Sequence, residues 1–96
     1  MEKKLSTGKK VVLKEMSVDE MDDAKDLLRF GKEKDGKSAV YGIHKYNTAW
    51  IRGGLAGGDF KDQINGSVPD SVLKELSETE KVELANLIQE HNNLGE

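Results

Sequence analysis

Ser38-Ala39-Val40-Tyr41-Gly42-Ile43-His44-Lys45-Tyr46-Asn47-Thr48-Ala49-Trp50-Ile51-Arg52-Gly53-Gly54-Leu55 is the stretch on which the fold of this chain turns. It holds three of the five aromatic residues within ten positions, so the bulkiest part of the core is assembled here. Val40, Ile43, Ala49 and Trp50 fit one helical face, while Gly42 and the β-branched residues weaken a helix. The balance predicts a helix over about 39–55. Gly53-Gly54-Leu55-Ala56-Gly57-Gly58 then ends or loosens it, and residues 59–67 read as a polar loop with Asn65-Gly66 as a turn.

Toward the N-terminus, Ser6-Thr7-Gly8 supplies turn chemistry between two short stretches, the second of them β-branched, which predicts a β-hairpin over about 2–15. Leu5, Val11 and Leu13 mark its covered face and the lysines its wet face. A lone hairpin is marginal in water, so this one packs on helices or pairs its edge with another chain. Ser17-Val18-Asp19-Glu20 is a capping box, and it predicts a helix over about 18–30. Val18, Met21, Ala24, Leu27 and Leu28 face inward, Asp19, Asp22, Asp23 and Asp26 face outward, and Gly31 is the stop. Lys32 to Lys37 reads as an exposed loop.

Toward the C-terminus, Val68-Pro69-Asp70 opens a helix over about 69–76. A second capping box, Ser77-Glu78-Thr79-Glu80, opens a last helix over about 78–91, with Leu84, Ala85, Leu87 and Ile88 on one face. The sum is an α+β chain, an N-terminal β-hairpin packed on three to four α-helices, in a single small domain over 1–96.

Composition narrows the chemistry. The absence of cysteine excludes disulfides, thiolate metal sites and cysteine nucleophiles, and fits a cytoplasmic, soluble protein. No apolar run approaches the length of a membrane span or a signal-peptide core, so no membrane partner is expected. A net charge of -3 gives no general drive toward nucleic acid, which argues against it as a partner.

The glycine-rich GGLAGGDF (53–60) invites a phosphate-loop reading, with Arg52 adding charge. It lacks the preceding strand and the following Lys-Ser or Lys-Thr that such loops need. Gly53, Gly54, Gly57 and Gly58 are better read as positions where the backbone turns sharply or packs closely against another helix or chain. His44 and His91 have no partner at metal-ligand spacing; His91 suits the end of the last helix, and His44 suits an exposed helix position. Lys3, Lys4, Lys9 and Lys10, with Lys14, make a basic hairpin able to touch phosphate weakly, yet lysine is also how exposed sheet edges are protected. No nucleophile, base and acid stand in a catalytic arrangement, so the expectation is a non-enzymatic binding protein without cofactor or metal.

The layout resembles small proteins of tailed bacteriophages, particularly the tail assembly chaperones and related uncharacterised proteins of marine phages. The similarity lies in LSTGKKVVLKEMSVDE (5–20), in NTAWIRGGLAGGDF (47–60) and in VLKELSETEKVELANLIQEHNNLG (72–95). It implies a protein of the infected cell's cytoplasm, absent from the finished virion, that binds the tape measure protein and covers its hydrophobic stretches until tube subunits polymerise around it. On that reading Tyr46, Trp50, Ile51, Arg52 and Leu55 are the candidate protein contacts, since aromatic anchors dominate interface energies; the alternative is that the same apolar residues, Trp50 foremost, are core. The hairpin edge and the glycine-rich helix offer two routes to a homo-oligomer. Two other expectations stand beside it: a minor virion structural protein such as a head-to-tail connector, and a small nucleic-acid-binding or host-modifying phage regulator using the lysine hairpin.

Overall fold

In a computed structural model, which describes residues 1–32, 38–61, 66 and 68–93, the elements run β1 (Glu2–Lys4), β2 (Lys10–Leu13), α1 (Val18–Lys25), β3 (Arg29–Lys32), β4 (Ser38–Tyr41), α2 (Ile43–Gly54), β5 (Leu55–Gly58), α3 (Asp70–Glu75) and α4 (Glu78–Asn93). The class is α+β.

Period-two alternation makes the N-terminal hairpin: Val11 and Leu13 of β2 are buried and Lys10 is exposed. The turn closes through Leu5 N–H to Lys9 O at 2.9 Å and Gly8 N–H to Leu5 O at 2.8 Å, with Gly8 at φ +90°. That φ is open to glycine and strained for other residues. β1 is the exposed edge, β2 the centre, and β5 the third strand, all antiparallel. A bulge between Val12 and Leu13 shifts the β2–β5 register, after which Lys14 N–H still donates to Gly54 O at 2.9 Å.

Both capping boxes form. Ser17 Oγ accepts from Glu20 N–H while Glu20 Oε1 accepts from Ser17 N–H, each at 3.1 Å. Ser77 and Glu80 repeat the exchange at the start of α4. The α3 and α4 boundaries agree closely with the sequence expectation.

Two expected helices are shorter than predicted. The helix over 18–30 stops at Lys25, and Arg29–Lys32 pairs with Ser38–Tyr41 as a second hairpin, Arg29 opposite Tyr41 and Lys32 opposite Ser38. Gly31 is therefore a strand residue and not a helix stop. Phe30, Val40 and Tyr41 favour strands, and the cross-strand partner outweighs a helical spacing that local sequence alone supports. Val18, expected in the core, is 68% exposed. Met16, just before the helix, is the residue that covers Gly53 of α2. The helix over 39–55 loses both ends: Ser38–Tyr41 is strand, Gly42 at φ +81° breaks the chain, and Leu55–Gly58 leaves as β5. The loop expected over 32–37 and the Asn65 half of the Asn65-Gly66 turn fall mostly outside the described residues.

The core is one cluster. Leu5, Val11 and Leu13 from the sheet, Ala24 from α1, Trp50 and Ile51 from α2, and Leu84, Ala85 and Ile88 from α4 meet with Val72, Leu73 and Leu76. α2 packs against both α1 and α4. A Cβ on Gly54 would run into the Ile88 side chain, so the bare backbone sets how closely α2 and α4 approach.

Gly54→Ala gains up to about 1 kcal/mol of helix propensity but overpacks a fully buried Ile88, at a cost of about 1–3 kcal/mol. The expected net is destabilisation in urea unfolding. In a double-mutant cycle with Ile88→Ala the two changes should cost less together than their sum, by at least about 0.5 kcal/mol.

Candidate functional site

The aromatic face of α2 is turned inward. Trp50, Ile51 and Leu55 are wholly buried, so these three expected protein contacts are core residues in this chain. Tyr46 is half-buried: its ring meets Trp50 edge-on at 6.0 Å, and its hydroxyl donates to Gln89 Oε1 on α4 at 2.9 Å. The physical reason is position, because a helix held between two others has its bulkiest face enclosed. Among the described residues the buried indole N–H of Trp50 has no acceptor, a local cost. Arg52 alone of the five is exposed, and it pairs with Asp70 Oδ1 at 2.9 Å.

The glycine-rich stretch does not run on as a helix. Gly53 and Gly54 close α2, facing Met16 and Glu20 on one side and Ile88 on the other. Gly57 and Gly58 lie in β5 opposite Val12 and Val11. A Cβ on Gly58 would strike Lys10 O. Gly53, Gly54 and Gly58 make their close contacts within the chain, and the stretch is divided between α2 and β5, so a glycine-rich helix running through 53–58 is not formed.

The lysines divide. Lys3, Lys4 and Lys10 are exposed on the hairpin. Lys9 is engaged: its ammonium lies 3.9 Å from Glu80 Oε2, 5.4 Å from the Phe60 ring centroid, and donates to Glu75 O at 3.5 Å. The hairpin turn is anchored on α4, where Glu83 accepts from Ser6 N–H at 2.9 Å and Glu80 accepts from the Thr7 hydroxyl at 2.9 Å. Hydrogen bonds from the Ser77 backbone N–H and the Thr7 hydroxyl, with the Lys9 charge adding to them, hold the Glu80 carboxyl below the ordinary carboxylate range despite its burial.

Among the described residues a groove of about 720 Å³ lies open between α1 and α2. Its floor is apolar and without aromatics: Ala24, Leu27, Ala49 and Gly53. Its rims carry opposite charge, Glu20 and Asp23 from α1, and His44, Lys45 and Arg52 from α2. The helices are antiparallel, because a Cβ on Gly53 would approach Glu20 while one on Gly42 would meet Leu27 O. Of this groove the sequence reading singled out Arg52 and Gly53 and placed Glu20, Asp23 and His44 on helix surfaces. The alternation of acid on one helix and base on the next was visible, but their juxtaposition depends on the chain reversal at the β3–β4 hairpin. Among the described residues no group of three or more His, Asp or Glu stands close enough to hold a metal ion, and no helix is long and apolar enough to cross a membrane. Compared with known proteins, the chain matches no family model, no curated protein and no solved structure.

Because the folded-state value of Glu80 is the lowered one, its stabilising effect is complete above the usual glutamate range near about pH 4.3 and is lost as pH falls through the folded value. Glu80→Gln is expected to lower stability by about 1–3 kcal/mol at neutral pH. The difference from wild type should narrow between about pH 5 and about pH 3 in urea titrations. A gap that stays constant with pH would show that the Glu80 charge contributes nothing.

Proposed function

We propose that this chain is a non-enzymatic assembly factor that binds another protein through the α1–α2 groove. The observation that supports the reading is the groove's construction, an apolar floor of Ala24, Leu27 and Ala49 between charged rims. A small apolar surface ringed by charge suits transient capture of an apolar segment: the floor supplies the contact area, and the rims keep the empty domain in solution and fix register. The inward-turned aromatics leave the affinity to many modest contacts, which fits a partner that must later be released.

The resemblance to tail assembly chaperones makes the tape measure protein of a tailed phage the proposed partner and the cytoplasm of the infected cell the proposed place of action. The segment NTAWIRGGLAGGDF, on which that resemblance chiefly rests, is the one that ends α2 and enters β5. Its residues accordingly build the groove's frame, and the partner is met by Arg52, Lys45 and the floor.

Co-expression with the tape measure protein of the same genome tests the proposal. The wild-type chain should form a complex with it and raise its soluble fraction. Ala49→Arg, at a half-buried floor position, should fill the groove and cut that binding about tenfold or more while the circular dichroism spectrum is unchanged. No complex with the wild-type chain, or binding indifferent to Ala49→Arg, overturns the proposal. Recovery of the chain from purified virions would make it a virion component instead.

A further inference from the structure

We infer that, when no other protein occupies it, the α1–α2 groove is covered by the same groove of a second copy of this chain. The inference rests on the reading of the groove as a docking surface and adds what fills it in the free protein. It follows from the charge arrangement. The exposed residues of α1 include Asp19, Glu20, Asp22 and Asp23, followed by Asp26 at its C-cap, against one base, Lys25, whereas the exposed charges of α2 are Lys45 and Arg52, with His44 beside them. One rim is therefore acidic and the other basic, and a surface with this division is complementary to itself.

The geometry fixes how two copies meet. A two-fold axis running parallel to the two helices lays α1 of one copy over α2 of the other and keeps every residue at its own height along the axis. Gly53 lies beside the Glu20 carboxylate and Gly42 beside Leu27 O, so Arg52 stands at the Glu20 end of the groove and Lys45 toward its Leu27 end, with Asp23 on the facing rim. In the dimer Arg52 accordingly faces Glu20 of the second copy, and Lys45 faces its Asp23. Each pair occurs twice. The small floor residues Ala24, Ala49 and Gly53 allow close approach, and the result is a four-helix arrangement of antiparallel neighbours. Arg52 keeps its bond to Asp70, because a guanidinium has further N–H groups to offer. The opposite choice of axis sets acid over acid and base over base, which repulsion excludes.

Sedimentation equilibrium on the full chain at low salt tests this. The mass should rise from monomer toward dimer with concentration. It should fall back toward monomer in about 1 M NaCl, where the screening length shrinks to about 3 Å. Lys45→Glu and Asp23→Lys each place like charges together twice and should weaken the dimer about tenfold or more. The double variant Asp23→Lys/Lys45→Glu exchanges the two charges and should restore it. Both positions are exposed, so folding is retained and is verified by circular dichroism. A monomer at every concentration, a dimer indifferent to the single reversals, or a double variant that stays monomeric overturns the inference. None of these results touches binding of the tape measure protein, which the co-expression experiment reads separately.

Discussion

The structure depends on a crowded junction at the end of α2, where three consecutive residues meet three different neighbours. Gly53 is covered by Met16 and approached by Glu20, Gly54 lies against Ile88 of α4, and Leu55 pairs with Leu13 as the chain becomes strand. Two side-chain-free positions are needed because two neighbours approach the backbone from different sides at once. Without that closeness α2 would stand off from α4, and the void around Trp50 and Ile51 would forfeit the dispersion contacts that a small core cannot spare.

Around this junction the rest of the chain is stitched to α4. At the helix start, Glu80 and Glu83 hold the hairpin turn through Thr7 and Ser6. Near its end, Asn92 Oδ1 accepts from Met16 N–H at 2.7 Å, while its amide donates to Ile88 O at 2.8 Å. The bonds from Ser6, Thr7 and Met16 to α4 join residues more than seventy positions apart in sequence and tie the hairpin to the last helix. The bonds of Thr7 and Asn92 are partly buried and satisfy polar groups beside the core.

Enclosing the aromatic face of α2 has a consequence for the surface. The groove left between α1 and α2 has aliphatic residues and a glycine, and no aromatic, in its floor, and its rims are charged. Such a surface presents a pattern of charge and no large aromatic side chain.

The sequence by itself determined the elements whose signals are local. Both capping boxes state where α1 and α4 begin, the alternation of Val11 and Leu13 with polar neighbours states the hairpin, and Val68-Pro69-Asp70 states the start of α3. In the candidate site it determined that α1 is acidic and that Lys45 and Arg52 are basic. Only the tertiary structure decided that Arg29–Lys32 and Leu55–Gly58 are strands, since each is made by a partner strand elsewhere in the chain. It also decided that Trp50 and Leu55 are core and not contact surface. A helix pattern marks an apolar face, and which neighbour covers that face depends on chain reversals such as Gly42, whose consequences are not local.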